Sequence, residues 1–254
     1  MITSTENPRI KALSKLKTAR ERRRTGQFLI EGAREVERAR HSGATIELFL
    51  VCRELPGTVD PADAEVEVLE VAPGPMRKVA MRENPPGVIA VARQFDTAIS
   101  RLEPGTTPLY LIAEGVEKPG NLGAMLRTCD AAGADGLVVA DPVTDVFNPN
   151  VVRASQGALF SVPIAVADTA ETINWCRRHR LNVVGGYPGA TDSLWDVALT
   201  GPIAVLVGAE DVGISSAWDD VANPVQIPMR GRADSLNASV AAALLLYEAR
   251  RQRS

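Results

Sequence analysis

Three tracts in the second half of this 254-residue chain gather the side chains best suited to chemistry. The first reads EGVEKPGNLGAMLR: Asn121 sits where a helix cap belongs, Gly120 and Gly123 let a ligand or another backbone come close, and Arg127 points away from the apolar face of Leu122 and Met125. In the second, VLVGAEDVGIS, a strand runs into Gly208, Glu210 and Gly213, and a serine then opens the next element. The third, IPMRGRADSLNASVAAALLLYE, reads as a loop feeding a helix that starts near Ser235 and has Asn237 in its first turn. The free N–H groups and positive dipole end of such a helix suit an anionic or polar ligand, and Met229 and Gly231 before it are placed to lie along a flat cofactor. Taken singly, each tract also fits an ordinary capped helix, a glycine turn or a solvated carboxylate. None is a Walker A loop or a GxGxxG fingerprint.

Composition narrows the chemistry further. His41 and His179 are the only histidines, which argues against a histidine zinc site or a Ser-His-Asp triad. Cys52, Cys129 and Cys176 are odd in number and far apart, so neither a disulfide framework nor CxxC metal spacing is expected. No apolar run reaches membrane-spanning length, and the first residues lack the apolar core of a signal peptide. A cytoplasmic, metal-free protein without membrane contact is the expectation. Aromatics are 4% of the chain, so nucleic-acid binding would rest on charge and shape more than on stacking. The net charge of −3 conceals an asymmetry: residues 1–40 hold eleven Lys/Arg against five Asp/Glu, and the remainder seventeen against twenty-six.

The elements that must position these residues alternate between strand and helix. Residues 8–24 read as one basic helix, followed by strands at GQFLIEG, IELFLVC, AEVEVLEV and GVIAVAR and helices at AREVERARHSG and PMRKVAMREN, enough for a small α/β domain over 1–92. Residues 93–107 lack periodicity and read as a linker. From 108 to 254 the alternation resumes, with strands at PLYLIAEGV, GLVVA, VPIAV, LNVVGG and IAVLVGAE. Leu122, Met125, Leu126, Cys129 and Ala132 form the apolar face of an intervening helix, and the last helix is apolar almost all round between Ala238 and Leu246. This α/β pattern predicts a mostly parallel sheet with helices on both faces, its ligands held beyond the C-terminal strand ends, where loops 114–123, 207–215 and 227–237 fall.

In order and spacing, three motifs resemble those of the SpoU (TrmH-type) RNA ribose 2′-O-methyltransferases of the SPOUT class: Asn121-x-Gly123-x-x-x-Arg127, Gly208-x-Glu210-x-x-Gly213, and Ile227-Pro228-Met229 through Ser235-Leu236-Asn237. VRASQGALF at 152–160 is similar to the family's helix between the first two, and residues 1–92 look like its N-terminal substrate-binding domain, itself similar to small ribosomal RNA-binding proteins. The resemblance implies a deep trefoil knot, a homodimer formed through the catalytic domain, and S-adenosylmethionine as cofactor. It implies methylation of a ribose 2′-hydroxyl in structured RNA, with 23S rRNA favoured over tRNA.

Residue by residue, the resemblance assigns Asn121, Arg127, Glu210, Ser235 and Asn237 to catalysis. Arg127 would grip the phosphate beside the target ribose and steady the developing charge on the 2′-oxygen. Asn121 would orient Arg127 or the ribose, and Glu210 would hold Arg127 or a partner donor, or accept the proton. Ser235 and Asn237 would complete the pocket. Backbone groups at Leu206, Gly208, Ile227, Met229 and Leu236, with Ser235 beside them, would contact the cofactor. The basic tract then has RNA phosphates as its partners, through Arg9, Lys11, Lys15, Lys17, Arg20, Arg22, Arg23 and Arg24, with Arg153 adding a contact. Two rival readings are a tRNA 2′-O-methyltransferase and a non-catalytic RNA-binding protein that keeps the fold.

Overall fold

The computed structural model describes residues 1–58 and 66–253. In chain order the helices are α1 (Pro8–Lys15), α2 (Ala19–Thr25), α3 (Ala33–His41), α4 (Pro73–Val79), α5 (Pro119–Ala132), α6 (Pro149–Ser155), α7 (Thr169–Arg178) and α8 (Ala238–Gln252). The strands are β1 (Gln27–Glu31), β2 (Ile46–Val51), β3 (Glu67–Glu70), β4 (Val88–Arg93), β5 (Leu109–Glu114), β6 (Gly136–Ala140), β7 (Ile164–Ala167), β8 (Asn182–Gly186), β9 (Ile203–Val207) and β10 (Ala222–Val225). Two compact units result, Met1–Asp96 with Asp145–Phe160, and Thr97–Thr144 with Ser161–Ser254. The strand read at AEVEVLEV begins in part outside the described residues.

The first unit is built on a four-stranded sheet in the order β1-β4-β2-β3, antiparallel except for the β2–β3 pair. Ile10, Leu16, Leu29, Leu50, Met76 and Ile89 share one core. Residues 145–160 belong to this unit because their aromatics pack in it: Phe147 lies 5.0 Å from both Phe28 and Phe95, centroid to centroid. The single basic helix expected over 8–24 is two helices. Thr18 caps the second, its hydroxyl accepting from the Glu21 amide at 3.4 Å. The break frees the Leu16 and Lys17 carbonyls, and Arg22 donates to both, at 2.9 and 2.8 Å. Its guanidinium also pairs with Asp145 at 2.7 Å, and the side chain is 1% exposed. Arg22 is therefore a bracket inside the fold, and its expected role in gripping RNA is corrected: a cation spent on these partners and shielded from solvent has nothing left for a phosphate.

The second unit carries a six-stranded, wholly parallel sheet in the order β10-β8-β9-β5-β6-β7. Its buried strands are near-continuous apolar runs, as parallel strands covered on both faces must be. The five strands expected from the sequence are present. The sixth, β10, was not legible because it contains Pro224, which an edge strand tolerates. The apolar face expected on α5 is buried from Leu122 to Ala132. Its cap is Lys118, not Asn121, because Pro119 has no amide to cap and its fixed φ favours the first helical position. Likewise α8 starts at Ala238 with Asn237 as its cap, later than the start expected near Ser235. One side of α8 buries Ala242, Leu245, Leu246 and Ala249, while Val240, Leu244 and Tyr247 stay 46%, 36% and 50% exposed. Part of the stretch read as a linker joins this unit: Ile99 and Leu102 enter its core, and the Thr97 carbonyl accepts from the Val166 amide at 2.8 Å. Among the described residues no helix is long and apolar enough to cross a membrane.

Arg22→Ala is expected to lower the unfolding free energy by about 3 kcal/mol, since it strands Asp145 and two carbonyls, whereas exposed Arg23→Ala should stay within about 0.5 kcal/mol. Urea denaturation of both variants tests the contrast.

Candidate active site

Strand β5 starts the second unit's sheet, β6 and β7 extend it to one side, and β8 and β10 lie beyond β9 on the other. The direction of winding thus reverses between β5 and β9, which pair in parallel with Ala113 opposite Val207. In open parallel sheets this is where a crevice forms beyond the C-terminal strand ends. The turn after β9 and the start of α5 after β5 both emerge there.

The turn after β9 folds back on itself. A Cβ on Gly208 would lie 2.1 Å from the Gly213 carbonyl carbon and 2.3 Å from the Ile214 nitrogen, so no side chain fits. Gly213 has φ +71° and donates its amide to the Ala209 carbonyl at 3.0 Å. This loop projects Glu210. Its Oε1 accepts from the Asn121 amide at 2.6 Å and from the Asn237 amide at 2.7 Å, while Oε2 pairs with Lys118. Asn237 serves two structures at once, because its Oδ1 also accepts from the Ser239 amide at 3.0 Å and so caps α8. Three chain-distant tracts therefore meet on one carboxylate.

Asn121, Glu210 and Asn237, expected together, are together. Arg127 is exposed on α5 and hydrogen-bonds to none of them among the described residues. The reading that Glu210 holds Arg127 is corrected within one chain, since Lys118 and two side-chain amides occupy the carboxylate. Lys118 was missed because a lysine before Pro-Gly reads as a solvated turn residue. Beside Glu210 lies a cavity of about 310 Å³ lined by Gly208, Ile227, Met229, Ser235 and Leu236, all expected there. Leu206 is fully buried in the sheet's core and its side chain does not line the cavity. Another part of the wall, Gly186 to Gly189 at the C-terminal end of β8, was also missed. Its one signal was the GGYPG turn at a strand's C-terminal end. Burial, with the Asp219 and Glu114 charges adding, raises the Tyr187 phenol above its ordinary value, so it stays a protonated donor on that wall. Of the basic tract, Lys15, Arg20 and Arg23 are exposed, while Arg9, Lys11 and Arg24 pair with Glu67, Glu6 and Glu21 at 2.7, 2.6 and 2.7 Å. Lys17 is half-buried, and Arg153 is exposed on α6 in the first unit. Among the described residues no cluster of three His, Cys, Asp or Glu side chains is arranged to hold a metal ion.

Residues 108–247, which include every element of this site, match the SpoU rRNA Methylase family. The chain belongs to that family. Residues 7–90 match the MRM3-like substrate binding domain. Among relatives, the chain is 34% identical over 249 residues to the 23S rRNA (uridine(2479)-2'-O)-methyltransferase of Streptomyces viridochromogenes, covering 91% of this chain and 85% of that one. It is 31% identical over 252 residues to the 23S rRNA (guanosine(2553)-2'-O)-methyltransferase RlmP of Bacillus subtilis (strain 168), covering 98% of both. An AdoMet-bound rRNA methyltransferase structure from Sinorhizobium meliloti superposes with a TM-score of 0.90 at 31% identity, covering 98% of this chain and 97% of that one. In this SpoU family member the glycine turn that carries Glu210 lies inside the matched region.

Gly208→Ala should cost roughly 2 kcal/mol through backbone overpacking. Gly231→Ala, where a Cβ meets nothing within 4 Å, should stay within about 0.5 kcal/mol. Chemical denaturation curves of the two variants check the difference.

Proposed function

We propose that this SpoU family member transfers the methyl group of S-adenosylmethionine to a ribose 2′-hydroxyl of 23S rRNA, acting in the cytoplasm. The observation that carries the reading is the meeting of Asn121, Glu210 and Asn237 on the edge of a cavity between strand-end loops. The cavity's chemistry suits this cofactor. Ile227, Met229 and Leu236 offer apolar surface for a flat heteroaromatic ring, the glycine-rich backbone at Gly208 offers polar edges, and Glu210 and Asp234 favour a cationic group. When bound, the cofactor supplies an electrophilic methyl on a sulfonium.

The protein's own task is to bring a neutral hydroxyl into line and manage its proton. Glu210 is a fixed acceptor, held by two amides and an ammonium, with Lys118 supplying positive charge beside it. Asn121 and Asn237 keep that carboxylate aimed. Arg127, uncommitted among the described residues, is assigned to the phosphate flanking the target ribose, since a guanidinium grips phosphate in a planar fork and resists deprotonation. Ser235 is placed with the pocket wall and is assigned to orienting the reacting groups. The outward stripe Val240, Leu244 and Tyr247 supports a homodimer through the catalytic unit. The trefoil knot that the family resemblance implies belongs to the same proposal.

RNA capture is assigned to the first unit, chiefly to Lys15, Arg20 and Arg23, with Arg9, Lys11, Lys17, Arg24 and Arg153 around them. This assignment rests on their exposure and on the match to a substrate-binding domain.

Arg127→Ala should reduce methylation of 23S rRNA by at least about a hundredfold while cofactor affinity stays within about twofold. Near-normal turnover would refute the assignment. Replacing Lys15, Arg20 and Arg23 together by glutamine should weaken rRNA binding and flatten its log–log salt dependence by roughly two units. An unchanged slope in filter binding would remove the first unit's basic face from the RNA contact.

A further inference from the structure

Glu114 ends β5 as the first residue of the tract that leads to Asn121, and it is 5% exposed. Burying a carboxylate is costly unless donors surround it. Here they do. Its Oε2 accepts from the Ser215 amide at 2.8 Å, and its Oε1 lies 2.7 Å from the Ser215 hydroxyl and 2.9 Å from the Trp218 indole nitrogen. The Thr169 hydroxyl, at the start of α7, is 2.9 Å from the same oxygen and 2.6 Å from Asp141 Oδ2, so its one proton serves either carboxylate. None of these groups touches the cavity, and the methyl-transfer reading leaves all of them unused.

Their position gives them a task. The segment from Gly208 to Ser215 holds Glu210 and forms one wall of the cavity. At its first end it continues from β9 and is fixed by the sheet. At its second end it is fixed by Ser215, through both the backbone and the side chain, to Glu114. We propose that Glu114 is a positioning residue for cofactor binding: its buried carboxylate pins the far end of the glycine turn and so sets the shape of the cofactor wall. This rests on the cofactor reading given above. Glu210 has its own ties to Lys118, Asn121 and Asn237, so loosening the Ser215 end should affect the cofactor wall more than the reacting carboxylate.

The full-length protein is titrated calorimetrically with S-adenosylhomocysteine, and steady-state methylation is measured against S-adenosylmethionine. Glu114→Gln places an amide donor against the Ser215 and Trp218 donors, and should weaken binding about tenfold. The cofactor KM should rise by a similar factor, with kcat at saturation within about threefold. Glu114→Asp, which keeps the charge at shorter reach, should fall between. A Glu114→Gln protein with a lowered Tm but an unchanged Kd would overturn the proposal, because that is the signature of a merely structural carboxylate. Should Glu114→Gln not fold, Ser215→Ala, which removes one donor, decides: about threefold weaker binding supports the proposal and unchanged binding overturns it. Wild-type protein that fails to bind the ligand would sink the cofactor reading itself, and that control separates the two failures.

Discussion

The parallel pairing of β5 with β9 is the constraint on which the second unit's site depends. It sets the C-terminal ends of two strands, distant in sequence, side by side, and it does so at the point where the sheet's winding reverses. Everything that follows either strand must then leave through the same crevice. The start of α5 and the glycine turn meet there because they have nowhere else to go. The third tract arrives from the edge strand β10 and closes the group through Asn237. A site assembled this way needs no rigid metal or disulfide to hold it, since hydrogen-bond ladders of the sheet fix the roots of two of its three arms.

Two carboxylates divide the labour at this crevice. Glu114 is buried and surrounded by neutral donors, an arrangement suited to holding backbone in place. Glu210 sits nearer the surface, with an ammonium on one oxygen and two side-chain amides on the other, an arrangement suited to keeping the carboxylate aimed. The first unit repeats the lesson with a cation. Arg22 lies within a run of arginines, yet the break between α1 and α2 takes it inside the fold, while its neighbour Arg23 remains in water.

Legibility in the sequence followed the strength of local signals. Apolar runs in parallel strands are long and unambiguous, so five of the second sheet's strands could be read, as could the buried face of α5. Strand β10 could not, because Pro224 and Asn223 argue for a loop and only its edge position permits them. Helix starts were misplaced at Asn121 and Ser235 because a good capping residue is visible in a sequence, whereas the competing effect of Pro119 or Asn237 depends on the path the chain takes into the helix. The cluster of Asn121, Glu210 and Asn237 was legible as a set of motifs. Lys118, Tyr187 and the inward turn of Arg22 were not, since each acquires its role from neighbours distant in the chain or from a break in a helix that propensity alone would continue.

Asn237 shows how two local requirements can leave a position one residue type. As a helix cap, aspartate, serine and asparagine are nearly interchangeable, because each presents an oxygen to the first turn. The other half of this side chain points at Glu210 and must donate. Aspartate would keep the cap but set a second negative charge against the carboxylate, and serine is too short to reach both. With its oxygen committed to Ser239, the amide cannot flip without losing both bonds. The start of α8 and the orientation of Glu210 are thus soldered together through one planar group. Any rigid shift of that helix, which presents Val240, Leu244 and Tyr247 to the outside, is felt at the Glu210 carboxylate as a change in hydrogen-bond geometry.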